Sequence, residues 1–407
     1  MDSKNFNILA IAAVVSLVTA GIVHSSYDTW TVEKVEGQRL FPQFDTDGNS
    51  ISRVMMQSGK ETFTFAKDKS GVWGFVERGG YPVDEKKVRD LLVRVARAEL
   101  VEGKTRDPKR YGLLELGDPT KKDAKSKLLR LSNAAGKTVG EIVVGKRRGG
   151  TLGSGKPGSY VRQPDNPRTW LANTIIHLPF DVSDWVKPVF FQLPLDKIKS
   201  LKLTPPDGAE VNLVLEPAKD AGMAAKPKDK QAAKDNKAKT AKAEPKFKFS
   251  ALPDGQQLKK AVDATVMVKA LETLEMIDVR KAADAKVPKE ASRIPIVVET
   301  HDGMKLEAAV LKIGENDRWI SIKVLEDGKT KDIAKKLKDK LHGWQFKIAD
   351  WRSRQVFKTA AEMFEPKVAK APAEPAKDGG EIKLPAGLKL PPGFKLPPGF
   401  KFPPKKN

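Results

Sequence analysis

One order of elements is written twice along this 407-residue chain, and that repetition constrains the fold more tightly than composition can. In the first pass, residues 51–57, 62–66 and 72–76 read as β-strands. Phe63 and Phe65 alternate with threonines, and Trp73 and Phe75 flank a glycine, the period of two of half-buried strands. The stretch 67–71, Lys-Asp-Lys-Ser-Gly, supplies the turn before the third strand. Pro82 and Asp84 announce a helix with Asp84 as its N-cap. Val88, Leu91, Leu92 and Val95 then fall at i, i+3, i+4 and i+7, one apolar face. Strands are expected at 127–131, 139–144 and 159–162, and Trp170 and Asp184-Trp185 close the unit.

The second pass keeps that order. Residues 198–203 parallel 51–56, 211–215 alternate as 62–66 do, and Phe247 and Phe249 stand where Trp73 and Phe75 stood. Pro253-Asp254 is expected to open a second helix, with Leu258, Ala261, Val262 and Thr265 on one face. Residues 274–277 match 99–102 as its exit. Residues 294–298, 306–311 and 318–324 repeat the closing strands, and Asp350-Trp351 repeats Asp184-Trp185. The expected architecture is α+β: two tandem diverged repeats, 28–192 and 193–365, each a mostly antiparallel sheet with one main helix.

Two stretches stand outside this scheme. The Lys/Ala-rich insert 217–245 falls where the first repeat has its 67–71 turn. Lengthening a surface turn costs only about 0.6 kcal/mol per doubling of loop length. Its composition lacks the apolar residues of a core, so it is expected to be disordered. The tail 366–407 carries Lys-Leu-Pro-Pro-Gly-Phe hexads at 389–394 and 395–400, whose proline density favours polyproline II. These regions carry +12 of the net charge of +22: residues 217–248 hold ten Lys against four acids and 366–407 nine against three. The remainder is only mildly basic, which argues against a nucleic-acid-binding body.

Residues 6–23 contain no charge, are rich in Ile, Leu, Ala and Val, and follow Lys4. About 20 apolar residues cross a bilayer, so a retained single-pass anchor over 1–27 is expected. A cleaved signal peptide is the rival, because Val18-Thr19-Ala20 resembles a small-residue cleavage site. Either reading sends the rest of the chain across the inner membrane to the periplasmic side. Cysteine is absent, which removes disulfides, thiolate metal sites and thiol nucleophiles.

No motif compels chemistry. Gly150 to Lys156 satisfies G-x-x-x-x-G-K, but Pro157-Gly158 and a strand follow where a nucleotide loop needs Ser or Thr and a helix. Asp45-Thr46-Asp47-Gly48-Asn49 has its glycine at the wrong place for a calcium loop. His24, His177, His301 and His342 are scattered. Lys146-Arg147-Arg148 lacks interleaved base-stacking aromatics, and Trp73, Trp185, Trp344 and Trp351 read as packing residues. No catalytic, cofactor-binding or metal-binding residue is assigned, no cofactor is expected, and the chain does not read as an enzyme.

A set of short motifs resembles a known family. Leu40-Phe41-Pro42, Trp73-x-Phe75, Tyr81-Pro82-Val83-Asp84, Tyr111-Gly112-Leu113 followed by Asp118-Pro119, and Val144-Gly145-Lys146 fall in the order of the DUF4340 family over about residues 5–365. The resemblance implies a membrane-tethered extracytoplasmic protein, of the kind considered alongside gliding-motility-type ABC transport systems, with no established catalytic residues. The function expected from it is a non-catalytic accessory or scaffold subunit of an envelope transport assembly, with ABC-type transporter subunits as partners. The alternatives are a stand-alone envelope module binding a ligand between its two units and, from another class, a basic nucleic-acid-binding protein. The insert and the proline-rich tail depart from the family pattern.

Overall fold

Residues 12–21, 34–149, 157–208, 210–216, 244–356 and 358–367 are described by the structure, a computed structural model. Hairpin-forming segments of alternating burial dominate them. The first half forms ten strands: β1 (Lys34–Arg39), β2 (Ile51–Ser58), β3 (Glu61–Lys67), β4 (Trp73–Phe75), β5 (Tyr81–Pro82), β6 (Glu99–Gly103), β7 (Lys127–Asn133), β8 (Thr138–Arg148), β9 (Gly158–Arg162) and β10 (Thr169–Ala172). They lie in one sheet in the order β1-β6-β10-β9-β8-β7-β2-β3-β4-β5, every pairing antiparallel. Phe63 and Phe65 face Met56 and Val54 across the β2–β3 ladder and bury with them, as their alternation requires. The helices of this half are α1 (residues 12–21), α2 (Phe44–Asp47) and α3 (Glu85–Ala96). The Asp84 carboxylate accepts the N–H of Lys86 at the start of α3, and Val88, Leu91 and Val95 bury its apolar face, with Leu92 half-buried beside them.

The second half contributes β11 (Val189–Gln192), β12 (Ile198–Leu203), β13 (Val211–Leu215), β14 (Phe247–Phe249), β15 (Gln256–Leu258), β16 (Thr273–Glu275), β17 (Asp278–Lys281), β18 (Ser292–Thr300), β19 (Met304–Lys312), β20 (Arg318–Asp327), β21 (Trp344–Lys347) and β22 (Phe364–Pro366). Its helices are α4 (Ala264–Lys269), α5 (Lys331–Leu341), α6 (Asp350–Val356) and α7 (Ala360–Met363). Eight strands form a second antiparallel sheet, β14-β13-β12-β18-β19-β20-β21-β17, and β11-β16 and β15-β22 form two small ribbons. β13 and β14 pair with Leu215 opposite Phe247, so the insert between them connects adjacent antiparallel strands. Most of 217–245 and nearly all of 366–407 lie outside the described residues, although Pro366 is in β22 opposite Gln256.

One expectation needs correction. The second helix does not start at Pro253-Asp254. Residues 256–258 are β15, drawn into a ribbon by the distant β22, and Asp263 caps the true helix by accepting the N–H groups of Thr265 and Val266. The Pro-Asp start signal and the apolar spacing placed a helix there, and a partner about a hundred residues away made it a strand. A strand pairing, β11 with β16, crosses the expected boundary between 192 and 193. No helix of the described residues is long and apolar enough to cross a membrane; α1 covers only 12–21 of the expected anchor, and the rest of 6–23 lies outside the described residues.

One continuous apolar core runs through both halves. Where the sheets meet, Tyr81 of β5 sits edge-on against Trp344 (ring centroids 5.0 Å) and Phe346 (6.0 Å) of β21, and Phe346 stacks on Phe190 of β11 at 4.0 Å. Beside this seam the Arg78 guanidinium donates to both Asp278 carboxylate oxygens, at 2.6 and 3.2 Å. That fork orients the halves more than it stabilises them. Burial pushes the Tyr81 phenol up to about 12 from the usual 10. Above pH 10 the unfolded chain ionises this tyrosine and the folded chain does not, so stability is expected to fall between pH 10 and about 12. Denaturant melts across that window should show a shallower fall for Tyr81→Phe than for the parent.

Candidate interaction surface

The residues that could have carried chemistry do not converge. Gly150 to Lys156 lies outside the described residues, and β9 begins at Gly158, a strand where a phosphate-binding loop requires a helix. Asp45 to Asn49 runs through the short helix α2 into a 3-10 turn. Among the described residues no group of three His, Asp or Glu side chains is placed to hold a metal ion. His24 lies outside the described residues, and His301 and His342 sit on separate turns, His301 donating its N–H to Lys197 and His342 ending α5. His177 Nδ1 contacts the Arg147 guanidinium, and burial first, then that cation, hold the imidazole below its usual 6.5. Arg148 donates to Glu102 at 2.9 Å, and the hydrogen bond from Lys104 lowers the Glu102 carboxyl. The basic triplet is thus partly neutralised by its own fold.

Of the four tryptophans read as packing residues, Trp73 and Trp185 are buried and Trp344 packs in the seam. Trp351 is not: it is 61% exposed on α6, with Arg352 over its ring. The Asp184-Trp185 and Asp350-Trp351 pairs therefore have different surroundings, the first at the end of a buried 3-10 turn and the second at the start of a surface helix.

The short motifs turn out to be packing devices. Phe41 stacks on Phe44, and both rings lie against Gly140. Tyr81 enters the seam and Asp84 caps α3. Residues 104–126 cross the outer face of the first sheet, where Tyr111 and Leu116 cover Leu128 and Val143 and the Tyr111 hydroxyl donates to the Pro167 carbonyl at 2.6 Å. Gly145 lets this plug reach the strand backbone: a Cβ there would lie 2.2 Å from the Leu114 carbonyl oxygen. Pro119 accepts the N–H of Gly59. A family model described as a domain of unknown function, DUF4340, matches residues 73–292, more than half of the chain. The chain belongs to the DUF4340 family. The DUF4340 match begins at β4 and ends at the first residue of β18, so it takes in Tyr81, Phe190 and the insert, while Leu40-Phe41-Pro42 lies before it and Trp344 and Phe346 lie after it. No curated protein and no solved structure matches the chain.

The second sheet carries two adjoining concavities. A cavity of about 340 Å³ is lined by Val287, Ala309, Leu311, Ser321, Leu341 and Trp344, among others. It shares Ile322, Lys323 and His342 with an open cleft of about 640 Å³ that runs along α5 past Leu325, Lys338 and Asp339. Together they make one groove with an apolar floor and a mostly basic rim. No motif pointed to it, because its floor reads in sequence as ordinary strand.

Proposed function

We propose that this chain is a membrane-anchored, extracytoplasmic, non-catalytic scaffold or accessory subunit of an ABC-type envelope transport assembly, built from two diverged copies of one sheet unit. The observation that carries the duplication is strand order. Residues along β4-β3-β2-β7-β8-β9 in the first half find the same connectivity in β14-β13-β12-β18-β19-β20. The parallel extends to the edges: β9-β10-β6-β1 corresponds to β20-β21-β17/β16-β11, with β6 split in the second half by Met276 and Ile277. Register agrees as well, since Phe75 faces Phe65 as Phe249 faces Leu213, and Leu40 donates to Ala98 as Leu193 donates to Glu272.

The extracytoplasmic placement rests on the uncharged run 6–23. Helix α1 supports it, because Val14, Val15, Leu17 and Val18 are all exposed on it and an apolar surface of that kind calls for an apolar surround. The scaffold role rests on the family resemblance and on the seam, which joins two sheets into one extended body. A ligand held between the units finds no support there, since Tyr81, Trp344 and Phe346 fill that space. Crosslinking in intact membranes followed by purification is the test. The expected result is a membrane-fraction protein retaining residues before Ala20 and crosslinked to transporter subunits. Recovery in the soluble cytoplasmic fraction would overturn the reading.

A further inference from the structure

The two sheets treat the same face differently. With Ile51 placed on Ile198, the ladders put Leu128 on Pro295, Val143 on Ala309, Gly145 on Leu311 and Tyr160 on Trp319. This correspondence is one of register and holds whether or not the halves share an ancestor. In the first half the face is closed by the chain itself: the 23 residues between β6 and β7 lay Tyr111, Leu114 and Leu116 over it. In the second half only ten residues join β17 to β18, and they reach the face with a half-exposed Val287. The groove lined by Ala309, Leu311 and Ser321 lies at the place the first half plugs, with Ala309 and Leu311 at its buried floor.

We propose that this groove receives a turn segment of a partner protein, apolar with an embedded carboxylate, in the manner of Leu114-Glu115-Leu116 at the end of its 3-10 turn. The apolar part is fixed by the floor, which Leu311 raises above the strand where Gly145 leaves it low, so the segment meets side chains and not backbone. The carboxylate is fixed by the rim. Arg293, Lys323 and Lys338 line it against a single acid, Asp339. Glu307 and Asp327 hold Arg293 and Lys338, while Lys323 has no carboxylate partner among the described residues. Lys323 sits where the two cavities join and is the contact for the incoming acid.

The chain's own plug provides the probe: a fluorescent 12-residue peptide of the sequence 107–118, titrated against the full chain by anisotropy. Saturable binding is expected, weakened at least tenfold by Lys323→Glu, a surface change that leaves the melting temperature intact, and abolished by Ala309→Trp. A peptide carrying Lys in place of Glu115 should bind at least tenfold more weakly to the parent and recover on Lys323→Glu. Equal binding to all three proteins would overturn the proposal, as would no binding at millimolar peptide. Binding that appears only after deletion of 368–407 would assign the groove to the chain's own tail. Displacement by anionic phospholipid vesicles, with no recovery in the charge swap, would assign it to lipid. Each of these two results also overturns the partner-segment assignment.

Discussion

Phe346→Ala is expected to destabilise the protein by about 3–5 kcal/mol, the range for truncating a buried phenylalanine. The ring has no solvent exposure, stacks on Phe190 at 4.0 Å and receives the edge of Tyr81 from the other sheet. Its loss opens a cavity at the one place where both halves converge, so neither can collapse into it without tilting against the other. Chemical denaturation should show the loss in full, as a shift of a single transition. A loss below about 1 kcal/mol would mean the seam is a loose contact and not part of the core.

Gly145→Ala should cost about 1–3 kcal/mol, the usual range for overpacking, although it adds a single methyl group. That methyl would meet the Leu114 carbonyl at 2.2 Å and the Glu115 carbonyl at 3.0 Å, both backbone atoms. The plug is already held tightly there: Glu115 sits in the left-handed region at φ 56°, and Leu116 is fully buried. The plug must therefore lift, and Tyr111 with it. The expected signature beyond lost stability is faster proteolysis within 104–126, read by limited digestion. The matching change at Leu311 in the open groove, Leu311→Ala, should leave digestion of 104–126 unaltered.

Much of the strand framework was legible because burial on one face forces a period of two. Phe63, Phe65, Trp73 and Phe75 marked β3 and β4, and Asp84 with Val88, Leu91 and Val95 marked α3. What pattern could not reveal was pairing between distant segments. Residues 256–258 became a strand because β22 lies beside them, and Val189 to Gln192 joined the second half because β16 accepts them. Trp351 looked like Trp185 because both follow aspartate, yet only one meets a core. The groove was invisible for a related reason. Ala309, Leu311 and Ser321 have the composition of any covered strand, and what distinguishes them is a connection thirteen residues shorter than its counterpart. The seam was half legible: Tyr81 stood out in its motif, but Arg78 and Asp278, two hundred residues apart, carry no shared sequence signal.

The aromatic seam joins the two sheets through one continuous core into a single folded body. Differential scanning calorimetry of the full chain in detergent tests it most directly. One endotherm with equal calorimetric and van't Hoff enthalpies is expected, shifted down as a whole by Phe346→Ala. Two resolved endotherms in the parent protein, of which Phe346→Ala moves only one, would contradict it.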